Sequence, residues 1–436
     1  MEGKPKKIIF LEKMLRFMAV ATLKMRKPKV VGITGSVGKT SAKEAIFRVL
    51  EGSFKVRKNE ENYNNEIGVP LTIIGAKSGE KNIFKWLWVG IRWIFNLIFP
   101  FGYPKILILE MAIDRPGDMK YLTSFARPEV GVLTDISASH LEFFDSLNSI
   151  AGEKSVLLKS LPENGLAVVN VDNEIIRKIK NKLRSRTVDF GIENEAKIRA
   201  TDIKFIYDEE EKNIEGLSFK LNQEGNFVPI RLYHIIARHH VYAVLAAVAV
   251  GNYFKINLID MAKSLENLKP PRGRMTPIEG IKGSLVVDDS YNASPVSAIA
   301  ALNTVEKIRA FRRVAILGDM MELGEESETG HERVAREVLS RNFDALVMVG
   351  ARMKRAAERI YAEGNLNKKI IFFESPDEAA EKIGEIIKEK DLILVKGSQA
   401  MRMEKITEKL MKDPERSKDY LCRQSEKWKK KKFIKT

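Results

Sequence analysis

Val-Gly-Ile-Thr-Gly-Ser-Val-Gly-Lys-Thr-Ser-Ala-Lys-Glu, residues 31–44, is the stretch from which the rest of the chain can be read. Val30 and Val31 end an apolar, strand-like run, glycines stand at 32, 35 and 38, and Lys39 and Thr40 lead into a helix-forming run from Ala42 to Leu50. A strand, a glycine-rich turn and a helix N-terminus together cradle phosphate: glycines let backbone N–H groups wrap an anion, and the helix dipole favours it. Gly35, Ser36, Val37, Gly38, Lys39, Thr40 and Ser41 are thus the candidate phosphate binders. Lys39 can reach terminal phosphates, and the Thr40 hydroxyl is placed to ligate Mg²⁺. The bland alternative is a tight turn with a surface lysine, and Gly-Lys-Thr in this context weighs against it. The stretch implies a bound nucleoside triphosphate.

Composition sets the outer bounds. A chain of 436 residues is too long for one ordinary core and predicts two or three domains. With 44% hydrophobic and 30% charged residues the balance is that of a globular protein, and the single cysteine, Cys422, excludes an internal disulfide framework and fits a reducing cytoplasm. No signal peptide is read at the start, where the apolar run is broken by Glu12, Lys13 and Arg16. The formal charge of +16 would attract an anionic membrane, nucleic acid or a polyanionic substrate, and part of it sits in the 419–436 stretch, read as a basic tail. Charge alone does not choose among them, and no motif specific for nucleic acid supports that partner.

Periodicity gives the organisation. Residues 1–28 read as one basic, amphipathic helix, with Ile8, Leu11, Leu15, Met18 and Ala19 at helical spacing. Residues 29–270 alternate strand-like runs (106–109, 130–133, 166–169) with helical ones (151–159, 240–253), the signature of a mostly parallel sheet covered by helices. Between Asp189 and Pro229 alternating segments predict an antiparallel excursion. Pro270-Pro271 marks a boundary, after which residues 271–418 repeat the alternation and predict a smaller, Rossmann-like α/β domain. The run 83–103 stands apart: three tryptophans and four phenylalanines with only Lys85 and Arg92 as cations. It is too interrupted for a spanning helix and suits either a membrane interface or a packed hydrophobic helix.

Further strings carry chemistry. Asn-Tyr-Asn-Asn-Glu-Ile-Gly-Val-Pro-Leu-Thr at 62–72 offers Asn62, Asn64 and Asn65, which donate and accept and could orient a polar substrate beside the phosphates. Leu-Ile-Leu-Glu-Met at 107–111 ends a buried strand on Glu110, a position expensive for a carboxylate unless it is paired, so a metal is a reasonable partner. Ser-Ala-Ser-His-Leu-Glu carries His140, Ile-Ala-Gly-Glu-Lys carries Lys154, and the second domain opens with Arg272-Gly-Arg-Met and Asp288-Asp-Ser-Tyr-Asn-Ala-Ser-Pro.

Taken together, the phosphate loop (with Ile33 where the general form has glycine), the asparagine string and the second-domain strings resemble the Mur ligases, the ATP-dependent amide-forming enzymes of peptidoglycan synthesis, and among them the MurF type. The resemblance covers roughly residues 29–415. It implies two Mg²⁺ ions held by Thr40, Glu110, His140 and Lys154, the lysine carried as a carbamate. It gives Arg274 to the terminal phosphate, Asp289 to the ribose, Tyr291 and Asn292 to the nucleotide, and Asp319, Glu322, Lys396 and Ser398 to an incoming amine. Lys39, Lys154, His140 and Arg274 would be the catalytic set.

Three departures stand out: Ala112 after Glu110-Met111, Ser294 in the Asn-Ala-Ser-Pro string, and Ala237-Arg-His-His-Val-Tyr-Ala, where His240 and Ala243 replace two asparagines of the adenine-binding motif. Only 28 residues precede Lys29, too few for the nucleotide-sugar-binding domain that three-domain members carry there. The expectation is an ADP-forming ligase that adds D-alanyl-D-alanine to a muramyl peptide through an acyl phosphate, cytoplasmic and with the inner membrane surface as a candidate contact. Two rivals remain: another ligase of the superfamily with a different acceptor, a lipid-linked one included, and a catalytically degenerate nucleotide-binding module that serves a partner.

Overall fold

The computed structural model describes residues 5–60, 63–80, 82–99, 102–137, 144, 146–210, 213–363, 368–431, 433 and 434. The chain forms two compact units: Met1–Asp202 with Phe219–Ile230 and His240–Glu266, and Ile203–Ser218 with Arg231–His239 and Asn267–Thr436.

The first unit is built on strands β1 Lys29–Thr34, β2 Val56–Lys58, β3 Ile106–Glu110, β4 Val130–Leu133, β5 Leu166–Asn170 and β6 Arg186–Gly191, which continue into β7 Ile198–Tyr207, β8 Ile214–Gln223 and β9 Asn226–Leu232. Their order in the sheet is β2-β3-β1-β4-β5-β6-β7-β8-β9. Pairing is parallel from β2 to β7. The short links after β7 and β8 are of a length only antiparallel neighbours allow, so the predicted excursion is present. Strands β1, β3 and β4 are buried along nearly their whole length, as parallel strands covered on both faces must be. The order turns at β1: β3 lies on one side and β4 on the other, so their carboxyl ends open the crevice where α/β sheets collect ligands.

Helices α1 Lys6–Arg26, α2 Lys39–Glu51, α3 Gly68–Ile74, α4 Ile83–Ile98, α5 Asp118–Phe125, α6 Leu147–Lys159, α7 Glu174–Lys180, α8 His239–Tyr253 and α9 Leu258–Glu266 accompany these strands. The predicted N-terminal helix is present, but it is no separate appendage: Leu15 and Met18 of α1 share a core with Leu71 and Ile74 of α3 and Val89 of α4. Of the 83–103 run, residues 83–98 form α4, while Pro100 and Phe101 lie outside the described residues.

The second unit carries β10 Thr276–Glu279, β11 Leu285–Asp289, α10 Pro295–Lys307, β12 Arg313–Gly318, α11 Ser327–Ser340, β13 Ala345–Val349, α12 Ala351–Glu363, β14 Lys369–Phe373, α13 Pro376–Ile386, β15 Leu392–Lys396 and α14 Glu404–Leu410. Its sheet runs β10-β11-β15-β12-β13-β14, parallel except for β10.

Two boundaries differ from expectation. Residues 203–218 and 231–239 belong to the second unit, because Ile236 and Ala237 lie in its core and Phe205 and Ile214 pack against it. The 419–436 stretch is not a solvated tail throughout: Leu421 and Cys422 are buried, Leu421 in the second unit's core, and Arg402 donates to the Trp428 carbonyl at 2.6 Å.

Candidate active site

In the first unit the predicted loop sits at the carboxyl end of β1. Gly38 holds φ 82, left-handed backbone that favours glycine, and ends the loop directly before α2 without a side-chain cap, which leaves the helix's first N–H groups for a ligand. At Gly35 an added Cβ would lie 2.0 Å from Thr134 Oγ1, so only glycine lets the loop close against β4. The Ser36 N–H donates to the Asp135 carbonyl at 2.8 Å, its hydroxyl bonds the Ser137 carbonyl at 2.9 Å, and Thr134 Oγ1 donates to the Val37 carbonyl at 2.6 Å. Val37 is exposed at the tip and Ser41 is buried in the first turn of α2. Lys39 Nζ folds over the loop and donates to the Gly35 and Ser36 carbonyls at 2.6 and 3.2 Å.

Glu110 closes this edge from β3. Its carboxylate accepts from Thr40 Oγ1 and Asn64 Nδ2, each at 3.3 Å, and pairs with Lys43 Nζ at 3.5 Å. Asn59 grips the Glu110 backbone on both sides, accepting from its N–H at 2.9 Å and donating to its carbonyl at 3.0 Å. The Ala112 that replaces a glycine lies outside the left-handed region and donates its N–H to the Asn64 carbonyl, so the turn needs no glycine there. Asn65 caps the start of α3 through the Ile67 and Gly68 N–H groups and so shapes the loop.

Lys154, on α6, is buried. Burial, then the like charge of Lys39, lower its amine from its usual range to about 7, against the pull of Asp135. That electrostatic coupling puts Lys154 within the field of the phosphate loop. His140 and Asn62 lie outside the described residues. Among the described residues no cluster of three or more His, Cys, Asp or Glu gathers. The converging Thr40 hydroxyl and Glu110 carboxylate are nevertheless hard oxygen donors of the kind Mg²⁺ takes. His240 is buried in the first turn of α8.

The second unit has its own polar edge, at the carboxyl ends of β11 and β15. Asp289 accepts from the Met275 N–H at 3.2 Å and pairs with Lys396 Nζ at 2.6 Å; Lys396 also donates to the Asn292 carbonyl at 3.0 Å. Arg274 stacks on Tyr291, its guanidinium 4.3 Å from the ring centroid. Asn292 is exposed and accepts from the Gln399 N–H at 3.3 Å. Ser294 caps α10 in a reciprocal arrangement with Ser297, so the serine keeps the turn that an asparagine would make. Lys396, read as an amine-substrate residue, and Asp289, read as a ribose residue, are thus one ion pair.

Family models match both units' sequences: Mur ligase middle domain over residues 100–251, and Mur ligase, glutamate ligase domain, over 273–399. The chain belongs to the Mur ligase family. Among curated relatives of this Mur ligase are the UDP-N-acetylmuramoyl-tripeptide–D-alanyl-D-alanine ligases of Bacillus subtilis, 28% identical over 92% of this chain and 79% of that protein, and of Escherichia coli, 29% identical over 88% and 77%. Among solved structures, MurF ligase from Thermotoga maritima in complex with ADP superposes with a TM-score of 0.75 at 27% identity, covering 93% of this chain and 84% of that one. A folylpolyglutamate synthase from Mycobacterium tuberculosis shares the fold at 15% identity and a TM-score of 0.62.

Besides Lys396, the other three residues expected to read the amine divide into two buried acceptors and one exposed acid. Asp319 is buried and accepts from the Arg352 and Met353 N–H groups at 3.2 and 2.7 Å, which makes it the anchor of α12. Ser398 is buried too and accepts from the Met321 N–H at 2.7 Å, whereas Glu322, at φ 62, is exposed. His331 fixes the same loop: Nδ1–H donates to the Ser327 carbonyl at 2.5 Å, Nε2 accepts from Met320 N–H at 2.8 Å, and burial holds its pKa down. The sequence reading missed Lys43 and Asn59 as partners of Glu110. Lys43 has one available signal: it lies four residues after Lys39, on the same face of α2.

Proposed function

We propose that this Mur ligase joins D-alanyl-D-alanine to the terminal carboxylate of a muramyl tripeptide, with ATP converted to ADP and phosphate. The observation that carries the reading is the meeting of the phosphate loop, Lys39 and Glu110 at the carboxyl ends of β1 and β3. The acceptor carboxylate oxygen attacks the γ-phosphorus and ADP leaves. The amine nitrogen then attacks the acyl carbon, loses its proton, and phosphate departs as the amide forms.

Loop N–H groups and the start of α2 bind the β- and γ-phosphates, while Lys39, lifted from the loop carbonyls, neutralises charge that grows on the bridging oxygen. Thr40 and Glu110 would hold one Mg²⁺, with His140 and Lys154 serving a second; bound there, the ions supply charge neutralisation of the phosphates. A Lys154 amine near pKa 7 is substantially neutral at physiological pH, the form that adds CO₂ to become an anionic carbamate ligand. Arg274 answers the γ-phosphate, Asp289 the ribose, and Tyr291 with Asn292 the nucleotide. Asn64, with Asn62, orients the acceptor next to Glu110.

The reaction belongs in a reducing cytoplasm, and the +16 charge draws the enzyme to the anionic inner membrane surface. The deciding experiment incubates the full chain with ATP, Mg²⁺, D-alanyl-D-alanine and muramyl tripeptide, offered on either a nucleotide or a lipid carrier. ADP release and a product of the mass of the amide support the reading. Nucleotide binding without ADP or product from either carrier overturns it in favour of a degenerate module.

A further inference from the structure

Helix α4 has only a narrow polar stripe, Lys85, Arg92 and Asn96, between a packed side and an exposed one. Its packed side is fixed on α1 and α3: Trp86, Val89 and Trp93 join their core, Trp93 Nε1 donates to the Met18 carbonyl at 3.0 Å, Asn96 Nδ2 to the Ile74 carbonyl at 2.5 Å, and Arg26 to the Leu97 carbonyl at 2.8 Å. At about 100° per residue, the opposite side is an apolar arc of about 140°. Phe84, Leu87, Trp88, Ile91, Phe95 and Ile98 lie on it, with exposures from 49% at Ile91 to 78% at Phe84. Lys85 and Arg92 border this arc. A wide apolar arc edged by cations belongs at an apolar surface, and on this helix only the inner side is covered.

Helix α1 adds to the same layer. Phe10 and Phe17 are exposed, and Phe17 meets Trp93 of α4 at 6.2 Å between ring centroids. Lys6, Lys7, Lys13, Arg16 and Lys24 are exposed around them. The one acid within α1, Glu12, is buried, and α4 has none. A second copy stacked on these two helices would set cations against cations, with no exposed acid in either helix to answer them. An anionic bilayer answers both features: the acyl boundary takes the aromatic arc, and lipid phosphates take the lysines and arginines. At 16 residues α4 is about 24 Å long, short of the roughly 30 Å hydrocarbon core, and among the described residues no helix is long and apolar enough to cross.

We propose that α4, backed by α1, docks the protein on an anionic lipid surface with the α4 axis lying in the plane of the interface. The inference deepens the membrane-surface part of the proposed function and does not depend on which amide is made. It bears on substrate delivery, because the segment entering α4 is tied to the acceptor loop: Ser78 N–H donates to the Tyr63 hydroxyl at 2.9 Å, and the neighbouring Asn64 reaches Glu110. Docking through α4 therefore presents the asparagine loop to a lipid-linked acceptor.

The test is flotation of the full chain with phosphatidylcholine vesicles, with and without phosphatidylglycerol, scored without ATP or substrate. The expected result is co-flotation with phosphatidylglycerol at low salt, lost at least tenfold in Trp88→Glu/Ile91→Glu. A second variant, Lys85→Gln/Arg92→Gln, should lose the preference for phosphatidylglycerol. Both should keep the wild-type melting temperature and nucleotide affinity. Wild-type protein that stays at the bottom of the gradient overturns the proposal, as does flotation unchanged in the Trp88/Ile91 variant. A vesicle-free dimer dissociated by those same substitutions would assign the face to a second copy instead. Since flotation is read without turnover, failure of the ligase reading leaves this outcome untouched.

Discussion

The carboxyl edges of the two parallel sheets follow opposite electrostatic plans. At the first, cations are held close: Lys39 leans on loop carbonyls and helps lower buried Lys154 to about 7. At the second, charges are matched, with Lys396 on Asp289 and Arg274 stacked on Tyr291. The first sets two neighbouring lysines where an anion would relieve them, which fits the phosphate proposed there. The second is satisfied as it stands, so it stores rigidity.

The comparison breaks most visibly at Lys39. Lys39→Ala removes the cation proposed to meet the phosphates, and turnover should fall on the order of 10³-fold with the melting temperature within a degree or so of wild type. An ADP-release assay and a thermal melt, run together, decide it. Turnover within tenfold of wild type would mean that the first edge is structural like the second. At the second edge the effect should fall on stability. Lys396→Met leaves the Asp289 carboxylate buried without its partner and should cost about 3–5 kcal/mol. Lys396→Met/Asp289→Asn should recover much of that loss, because no lone charge remains. Chemical denaturation of the three variants measures the coupling, and additive losses would show that the pair is not a unit.

What the sequence disclosed follows the same division. The first edge was legible because its chemistry constrains residue type: Gly35 and Gly38 are needed for the turn, and an acid ending an apolar strand, Glu110, stands out from its neighbours. Lys43 stayed hidden because a lysine inside an amphipathic helix reads as solvated until its burial beside Glu110 is seen. The second edge was legible by resemblance alone, and there Asp319 reads as a substrate residue in sequence yet anchors α12 in three dimensions. Strand-end turns use the same aspartates and serines for both purposes. The fold classes and most strands were visible in the apolar runs, but alternation records that a face is buried and not which core buries it. Residues 203–218 and 231–239 were misplaced for that reason.

The finest distinction between the edges is a titration next to the matched pair. Asp288, adjacent to Asp289 in β11, is fully buried; burial first, then the nearby Glu404 and Asp289 charges, raise its carboxyl to about 7, although Ser290 and Thr407 hydroxyls bond to it. The folded protein thus holds this proton more tightly than the unfolded chain, where an aspartate titrates near pH 4. Its contribution to stability is fully present below about pH 4 and is lost as pH rises through 7, when a charge must be carried inside. Asp288→Asn has nearly the same shape and no charge to bury. It should match wild type at about pH 3.5, gain on it as pH rises towards 7, and melt several degrees higher at pH 8, each kcal/mol being worth about 2–4 °C in a domain of this size. Calorimetry at the two pH values is sufficient. A gain or loss of equal size at both would mean that Asp288 stays ionised in the fold, and the second edge would then carry strained charge, as the first does.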